Sequence, residues 1–438
     1  MFDIQQGVSI NIFVKSGTSN TGCTIHYADL YGLREAKYIA LEKCALTDIE
    51  WKTVTPTEPM CFFVPKDKDG AEEYEGGFSI SKLFHVSATG ILTANDELNI
   101  SYSCAEQKKK IQALIELQES VWRAMNGKQH DVRDWHYCDA RNDALSADLK
   151  YVRVSYRPFD IRYTGYTGKS KGLYTNPRYS VMTHMLDRDN FALDVCKQIA
   201  SDTWTHVFSA KFIADDCFVS NKTKERGYVF PLYLYQEYHG KMQKVPNLNP
   251  EIVKKIEESL RASASPREIK ITPEDIFNYI YAVLHSPTYR SKYREFLKID
   301  FPRIPYPTDA KTFHALAALG GQLVAIHTMK DFDEADDVAF NDVGGNEVGK
   351  KAMVKWKDGA VYINKSSCFT GVERETFDQY IGGYQPLQQW LKAREGRTLS
   401  AADISHYKRI VRALRRTAEL MSEIDQTENL PWSTQNDD

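Results

Sequence analysis

The run Tyr156-Arg157-Pro158-Phe159-Asp160-Ile161-Arg162-Tyr163 packs two guanidiniums and two phenols into one short segment, and it leads into Tyr166-Thr167-Gly168-Lys169-Ser170-Lys171-Gly172. From Arg162 to Arg178 the basic residues are Arg162, Lys169, Lys171 and Arg178, with no acidic residue among them. Cations at this density suit phosphates, and tyrosines such as Tyr163 suit sugar or base contacts. The same composition describes a solvated strand edge, where lysines discourage sheet-to-sheet association, and the residues alone leave the two readings level. A second polar loop, Ser220-Asn221-Lys222-Thr223-Lys224-Glu225-Arg226, carries an amide that can read a base edge beside cations that can hold a phosphate. Plain solvation is the commoner reading of such a loop. The candidate phosphate- and base-binding residues are thus Arg157, Arg162, Tyr163, Lys169, Lys171, Arg178, Asn221, Lys222 and Lys224.

Other chemistries fail on spacing. Gly168-Lys169-Ser170 resembles the end of a phosphate-binding loop, but the glycine required five positions earlier is Tyr163, so the amide cradle cannot form. Gly168 to Gly172 also spells the Gly-x-Ser-x-Gly of a hydrolase elbow, which needs a buried strand before it and a helix after it. Here the flanks are polar and no helical period follows. The 11 histidines are scattered, so a metal site would have to be assembled from distant positions, and His184, His206 and His239 read as structural. No catalytic residue and no metal ligand is assigned. None of the 8 cysteines stands in a Cys-x-x-Cys pair, and they read as reduced, mostly buried thiols of a cytoplasmic protein.

The elements that must position these residues follow from periodicity. A chain of 438 residues implies two to four domains at ~100–200 residues each. With 42% hydrophobic and 26% charged residues it can bury a sizeable core, which excludes a disordered or fibrous protein. No apolar run approaches the ~20 residues of a membrane span, so no membrane partner is expected. Alternation at Val8, Ile10, Ile12 and Val14 predicts a strand, as do Thr24-Ile25-His26-Tyr27 and Tyr38-Ile39-Ala40-Leu41. A chain opening on a core strand suggests a piece of something longer. Residues 105–124 read as helix, and 151–241 as strands rich in aromatic and β-branched residues. That segment carries 13 Lys and Arg against 9 Asp and Glu, the only strongly net-positive part of the chain.

Asn249-Pro250, Thr272-Pro273 and Ser286-Pro287 each set a capping residue before a proline, and so predict three helix starts. Asp275 extends Thr272 toward a capping box. Residues 261–270 read as an exposed hinge. A helix is expected near 310–329, short strands over 337–366, and a final helix capped by Ser400. The reading is an α+β fold with mixed sheets in the N-terminal and middle parts, a helical block, and a small C-terminal sheet with terminal helices. Residues 1–105 and 151–241 are expected to be mainly strand. Domain boundaries are placed at 1–105, 106–245, 246–330 and 331–438.

Several segments together resemble one family. Phe2 to Lys15, Tyr156-Arg-Pro-Phe-Asp-Ile-Arg162, Ser220 to Glu225, Ile271 to Tyr281, Phe301-Pro-Arg-Ile-Pro-Tyr306, Ile381-Gly-Gly-Tyr-Gln-Pro386, and Trp390 onward to His406-Tyr407 are similar, in order, to the C-terminal part of the single-chain Type ISP restriction–modification enzymes. These enzymes fuse a nuclease, a translocase, an adenine methyltransferase and a target-recognition domain.

The resemblance implies that residues 1–105 are the end of the methyltransferase domain and that the rest is a sequence-specificity region binding double-stranded DNA. It also implies the methyltransferase domain, and beyond it the helicase and nuclease domains, of a parent enzyme as partners. The family's Asn-Pro-Pro-Tyr motif is missing, with Asn176-Pro177-Arg178-Tyr179 and Asn249-Pro250-Glu251 the nearest approaches. The glycine-rich turn for S-adenosylmethionine is missing as well. No cofactor is therefore expected on this chain, and S-adenosylmethionine is expected in the parent assembly. Near Thr93, Asn95-Asp96 replaces the arginine-aspartate usual in the family. A DNA-specificity module is the leading expectation. The alternatives are a subunit that completes an N6-adenine methyltransferase with a partner chain, and a remnant or scaffold that binds no DNA.

Overall fold

A computed structural model describes residues 9–15, 23–56, 61–65, 70–93, 95–128, 130–261, 271–330 and 333–433. Val8 and residues 262–270 of the expected hinge lie outside them. The chain forms two compact units, Met1–Asp69 and Gly70–Asp438.

In the first unit, Ile25–Tyr27 pairs antiparallel with Lys52–Val54, matching the strand expected at 24–27. Two other expected strands are corrected. Residues 9–15 carry no strand, and Ile10, Ile12, Phe13 and Val14 are exposed. Tyr38-Ile39-Ala40-Leu41 lies inside the helix Arg34–Lys43. Its neighbours Arg34, Glu35, Ala36, Lys37, Glu42 and Lys43 are strong helix formers, and their summed propensity overrides a four-residue β-like run. That helix buries none of its residues. Over the described part of 1–105, helix therefore outweighs strand, against expectation.

In the second unit the middle segment is built of strands, as read. A four-stranded antiparallel sheet runs in the order Ala88–Thr89, Gly227–Pro231, Ala192–Cys196, Val207–Ala210. A three-stranded sheet sets Lys150–Arg157 between its hairpin partner Asp160–Tyr166 and the parallel strand Ile213–Ala214. The helix expected over 105–124 is two, Cys104–Glu116 and Glu119–Met125, broken at Leu117-Gln118. The three proline-marked helices start as predicted, at Pro250, Pro273 and Pro287, and the Thr272–Asp275 capping box forms.

Helices Pro273–His285 and Ala310–His327 cross at Gly320, where a Cβ would stand 1.9 Å from the Asn278 carbonyl. A third helix, Ala401–Asp425, packs on both, and a buried polar chain links the three. The Tyr281 hydroxyl shares a hydrogen bond with His327 Nδ1 (2.6 Å), and His327 Nε2 shares one with Thr417 Oγ1 (2.9 Å). The C-terminal sheet runs in the order Ala339–Asn341, Cys368–Thr370, Ala360–Tyr362, Lys355–Lys357. Helix at 38% and strand at 21%, with nearly all pairings antiparallel, make this an α+β protein. The cysteines are free but not mostly buried: Cys23, Cys44, Cys61 and Cys138 are exposed, the first three in a unit that buries little side chain. Among the described residues no helix is long and apolar enough to cross a membrane.

Candidate functional site

The hairpin Lys150–Arg157/Asp160–Tyr166 turns at Pro158-Phe159, with Phe159 at φ 62°. A positive φ is costly for a bulky residue and must be held by packing. Phe159 is buried against Phe208 (centroids 5.1 Å apart), and its carbonyl accepts from His406 Nε2 at 2.7 Å. The turn so fixed projects Arg157, Asp160 and Arg162 from one hairpin end.

Each of the three is engaged. Arg157 Nη1 donates to Asp215 Oδ1 at 2.6 Å, and its guanidinium lies 3.8 Å from the Tyr156 ring centroid. Asp160 accepts from Arg162 (2.7 and 3.0 Å) on one oxygen and from Arg394 Nη2 (3.0 Å) on the other. Burial alone would raise the Asp160 carboxyl, but Arg394 and Arg162 outweigh it and hold the acid below the usual carboxylate range. Arg162 lies 4.2 Å from the Tyr102 ring and 4.3 Å from Tyr156, Arg397 is 4.0 Å from Tyr102, and Arg394 is 3.4 Å from Trp390. Guanidiniums on ring faces, locked by buried carboxylates, make a rigid floor.

Above this floor opens a cavity of about 610 Å³. Arg157, Arg162 and Asn221 line it together with Asp96, Glu97, Lys110, Lys351, Tyr384, Gln389 and Trp390, among others. Its carboxylates and cations are interleaved. Asp96 accepts from the Tyr156 hydroxyl (3.1 Å), and Lys110 donates to the carbonyls of Glu97 (2.6 Å) and Ile100 (3.1 Å) at the end of the short helix Asp96–Asn99. Burial pushes the Asp215 carboxyl up to about 6, with Asp96 and Asp216 adding repulsion and Arg157 opposing it.

The loop that carries Asn221 hangs from Glu225, which is fully buried. Glu225 accepts from the amides of Ala200 (2.8 Å) and Ser201 (3.1 Å) and from the hydroxyls of Ser201 (3.0 Å) and Ser220 (2.6 Å), and it shares a hydrogen bond with His206 Nε2 (2.8 Å). Burial would raise this carboxyl, but the bonds from His206, Ser220 and Ala200 dominate and lower it. The structural reading of His206 fits that geometry. Gly382 and Gly383 clamp the loop to the helix Pro386–Lys392. The Gly383 amide donates to the Val219 carbonyl (3.0 Å), a Cβ on Gly382 would stand 2.1 Å from that same carbonyl, and the Tyr384 hydroxyl donates to the Cys217 carbonyl (2.9 Å).

Of the nine sequence-nominated residues, then, the cavity gathers Arg157, Arg162 and Asn221. Tyr163 alternates with Arg162 and sits on the other face of its strand, where its backbone bridges Ser101. Lys169 is exposed and paired with Asp148 (2.9 Å), and Lys171 is exposed at φ 60°. Arg178, at φ 53°, precedes the short helix Tyr179–Met182. Lys222 donates to Ser201 Oγ (2.9 Å), and Lys224 is exposed at φ 73°. Lys110, Lys351, Tyr384, Gln389 and Trp390 line the cavity without being among those nine. Tyr384 and Trp390 stand in segments that carry the family resemblance, whereas Lys351 and Gln389 have no local signal. Among the described residues, Asp215, Asp216 and Cys217 are the group whose ligand atoms lie close enough to hold a metal. Asp215 is already paired with Arg157, and Asp216 with Arg226 (3.0 Å).

The sequence matches the family described as Type ISP C-terminal specificity domain over residues 82–423. No curated protein matches the chain. Among solved structures it is similar to that of the DrdV–DNA complex (TM-score 0.66, 19% identity, 91% of this chain). It is also similar to a nuclease-deletion mutant of the Type ISP restriction-modification enzyme LlaGI with a DNA substrate mimic (0.62, 18%, 91%) and to the ATP-dependent Type ISP enzyme LlaBIII bound to DNA (0.61, 15%, 86%). These likenesses show a shared fold. The chain spans 42%, 33% and 26% of those three chains.

Proposed function

Because the chain belongs to the Type ISP C-terminal specificity domain family, we propose that it binds double-stranded DNA and supplies the sequence selectivity of a restriction–modification enzyme that methylates adenine. The observation that carries this reading is the cavity, where cations, acids and amides from separate elements meet over an immobilised arginine–tyrosine floor. Such a surface offers donors and acceptors in fixed places, which is what discrimination among base edges requires. The solved structures it resembles contain DNA in two cases as enzyme complexes and in one as a substrate mimic. The basic loops at 167–172 and 220–226 would add affinity by neutralising phosphates.

The partner in this reading is the methyltransferase domain of the parent enzyme, with its helicase and nuclease domains beyond. The first unit is the surface offered to it: Phe13, Val14, Tyr31 and Leu33 are exposed, and its helix Arg34–Lys43 buries nothing. S-adenosylmethionine would be held by that partner domain and not by this chain. The test is a gel-shift titration of the purified chain with a randomised duplex pool, followed by sequencing of the bound fraction. An enriched sequence, with affinity falling as salt rises, is expected; equal retention of all sequences, or no binding at low salt, would overturn the proposal.

A further inference from the structure

We infer that Asn221, Lys351 and Gln389 are the residues that read base edges, an assignment that rests on the DNA-binding reading and goes beyond it. The three come from parts of the chain with no local connection: the loop after Ser220, a single 3-10 turn at Lys351–Met353, and the helix Pro386–Lys392. All three line the same cavity and are exposed at its mouth. Among the described residues, none of their side chains has a hydrogen-bond or ion-pair partner, whereas Arg157, Arg162, Asp160, Lys110 and Asp96 of the same cavity all do.

Each free side chain stands on a fixed base. Asn221 follows Ser220, whose hydroxyl is held by Glu225 and itself accepts from the Lys222 amide (3.2 Å). Lys351 opens a turn set between buried Val348 and Val354 and closed by the Met353 amide on the Lys350 carbonyl (2.7 Å). Gln389 lies on the outer side of a helix whose Leu387, Trp390 and Leu391 are buried. A reader needs this combination of unpaired head group and fixed root, because a backbone already held in place need not be ordered on binding.

The chemistry separates base edges from phosphates. Flat amides match the adjacent donor and acceptor of adenine in the major groove, and an ammonium matches the two acceptors of guanine. The same mouth carries the exposed Glu97 and the Asp96 carboxylate. Those carboxylates can accept from an exocyclic amino group, which a phosphate does not offer. Of the three readers only Asn221 comes from the basic segment of the sequence; Lys351 and Gln389 lie outside it.

The experiment is selection from a duplex pool with a randomised core, using the full chain and its Asn221→Ala, Lys351→Ala and Gln389→Ala variants, with salt titrations on the winning duplex. Each variant should keep the wild-type salt slope. Each should lose discrimination at one base pair, on the order of ten- to a hundredfold, and keep it elsewhere. Gln389→Glu should move the preference at its position from adenine toward cytosine. Three results would overturn the assignment while leaving DNA binding intact: unchanged preference in all variants, relaxation at every position, or uniform weakening with a flatter salt slope. A wild-type chain that selects no sequence would sink the assignment together with the reading beneath it. Because the three side chains are exposed and unpaired, unchanged unfolding midpoints serve as the folding control.

Discussion

The two basic loops of the second unit use one device for different ends. Loop 167–172 is tied by Asp143, which accepts from Thr167 Oγ1 (2.8 Å) and the Leu173 amide (3.0 Å). Loop 220–226 is tied by Glu225, which collects five hydrogen bonds from four residues. The first loop presents Lys169 and Lys171 to solvent, with Lys169 leaning on Asp148 and Ser146. The second carries Asn221 to the cavity mouth. A cation acts through a long-ranged field and tolerates a loose seat. An amide discriminates only if its two atoms stay in register with the base. The heavier anchoring falls on the loop that has to be exact about position.

Removing the heavier anchor gives the largest effect. Glu225→Ala leaves His206, two hydroxyls and two amides facing an empty buried site, and breaking such a network costs ~3–5 kcal/mol. A drop of that size is expected in urea unfolding at pH 7, together with loss of sequence preference. The pH dependence follows from the sign of the shift. The native carboxyl is held below its unfolded value of 4.5, so its contribution is complete above that value and disappears as the pH falls through the native pKa. The gap between wild type and variant should therefore be constant above about pH 5.5 and narrow with acid. A gap that widens on acidification would mean that Glu225 is not the anchor.

The lighter anchor should matter less and differently. Asp143→Ala removes two acceptors and is expected to cost ~1–3 kcal/mol. Loop 167–172 would loosen, so affinity should fall for all duplexes while the selected sequence stays the same. If Asp143→Ala changed the preferred sequence, the two loops would not divide the work as argued.

What could be read from the sequence was what short range decides. Proline-marked starts at 250, 273 and 287 and the Thr272–Asp275 box are fixed within one turn, and all formed. Tyr38–Leu41 has the composition of a strand, yet its helical neighbours outvote it. Arg157, Arg162 and Asn221 stood out by type, but their setting did not. Asp215 is 58 residues from Arg157, and Arg394 is 234 from Asp160. Lys351 and Gln389 sit in unremarkable surroundings, and only the packing of the C-terminal sheet and the Gly382-Gly383 clamp brings them to the hairpin tip.

The smallest expected effect is the most discriminating for the lysine loop. Lys169→Ala/Lys171→Ala removes two exposed cations, one with a surface ion pair to Asp148. Exposed pairs contribute ~0–1 kcal/mol, so the unfolding midpoint should hardly move. Binding should respond through counterions: each phosphate that goes unneutralised flattens the plot of log affinity against log salt by ~0.9. If both lysines face phosphates, the slope falls by about 1.8, and all duplexes weaken in parallel at low salt and converge with wild type at high salt. A slope reduced by about half that amount would leave one lysine on the DNA, and Lys169 is the one already occupied by an internal acid. An unchanged slope with unchanged affinity would return the loop to the reading of a solvated edge and leave the cavity mouth to bind DNA without it.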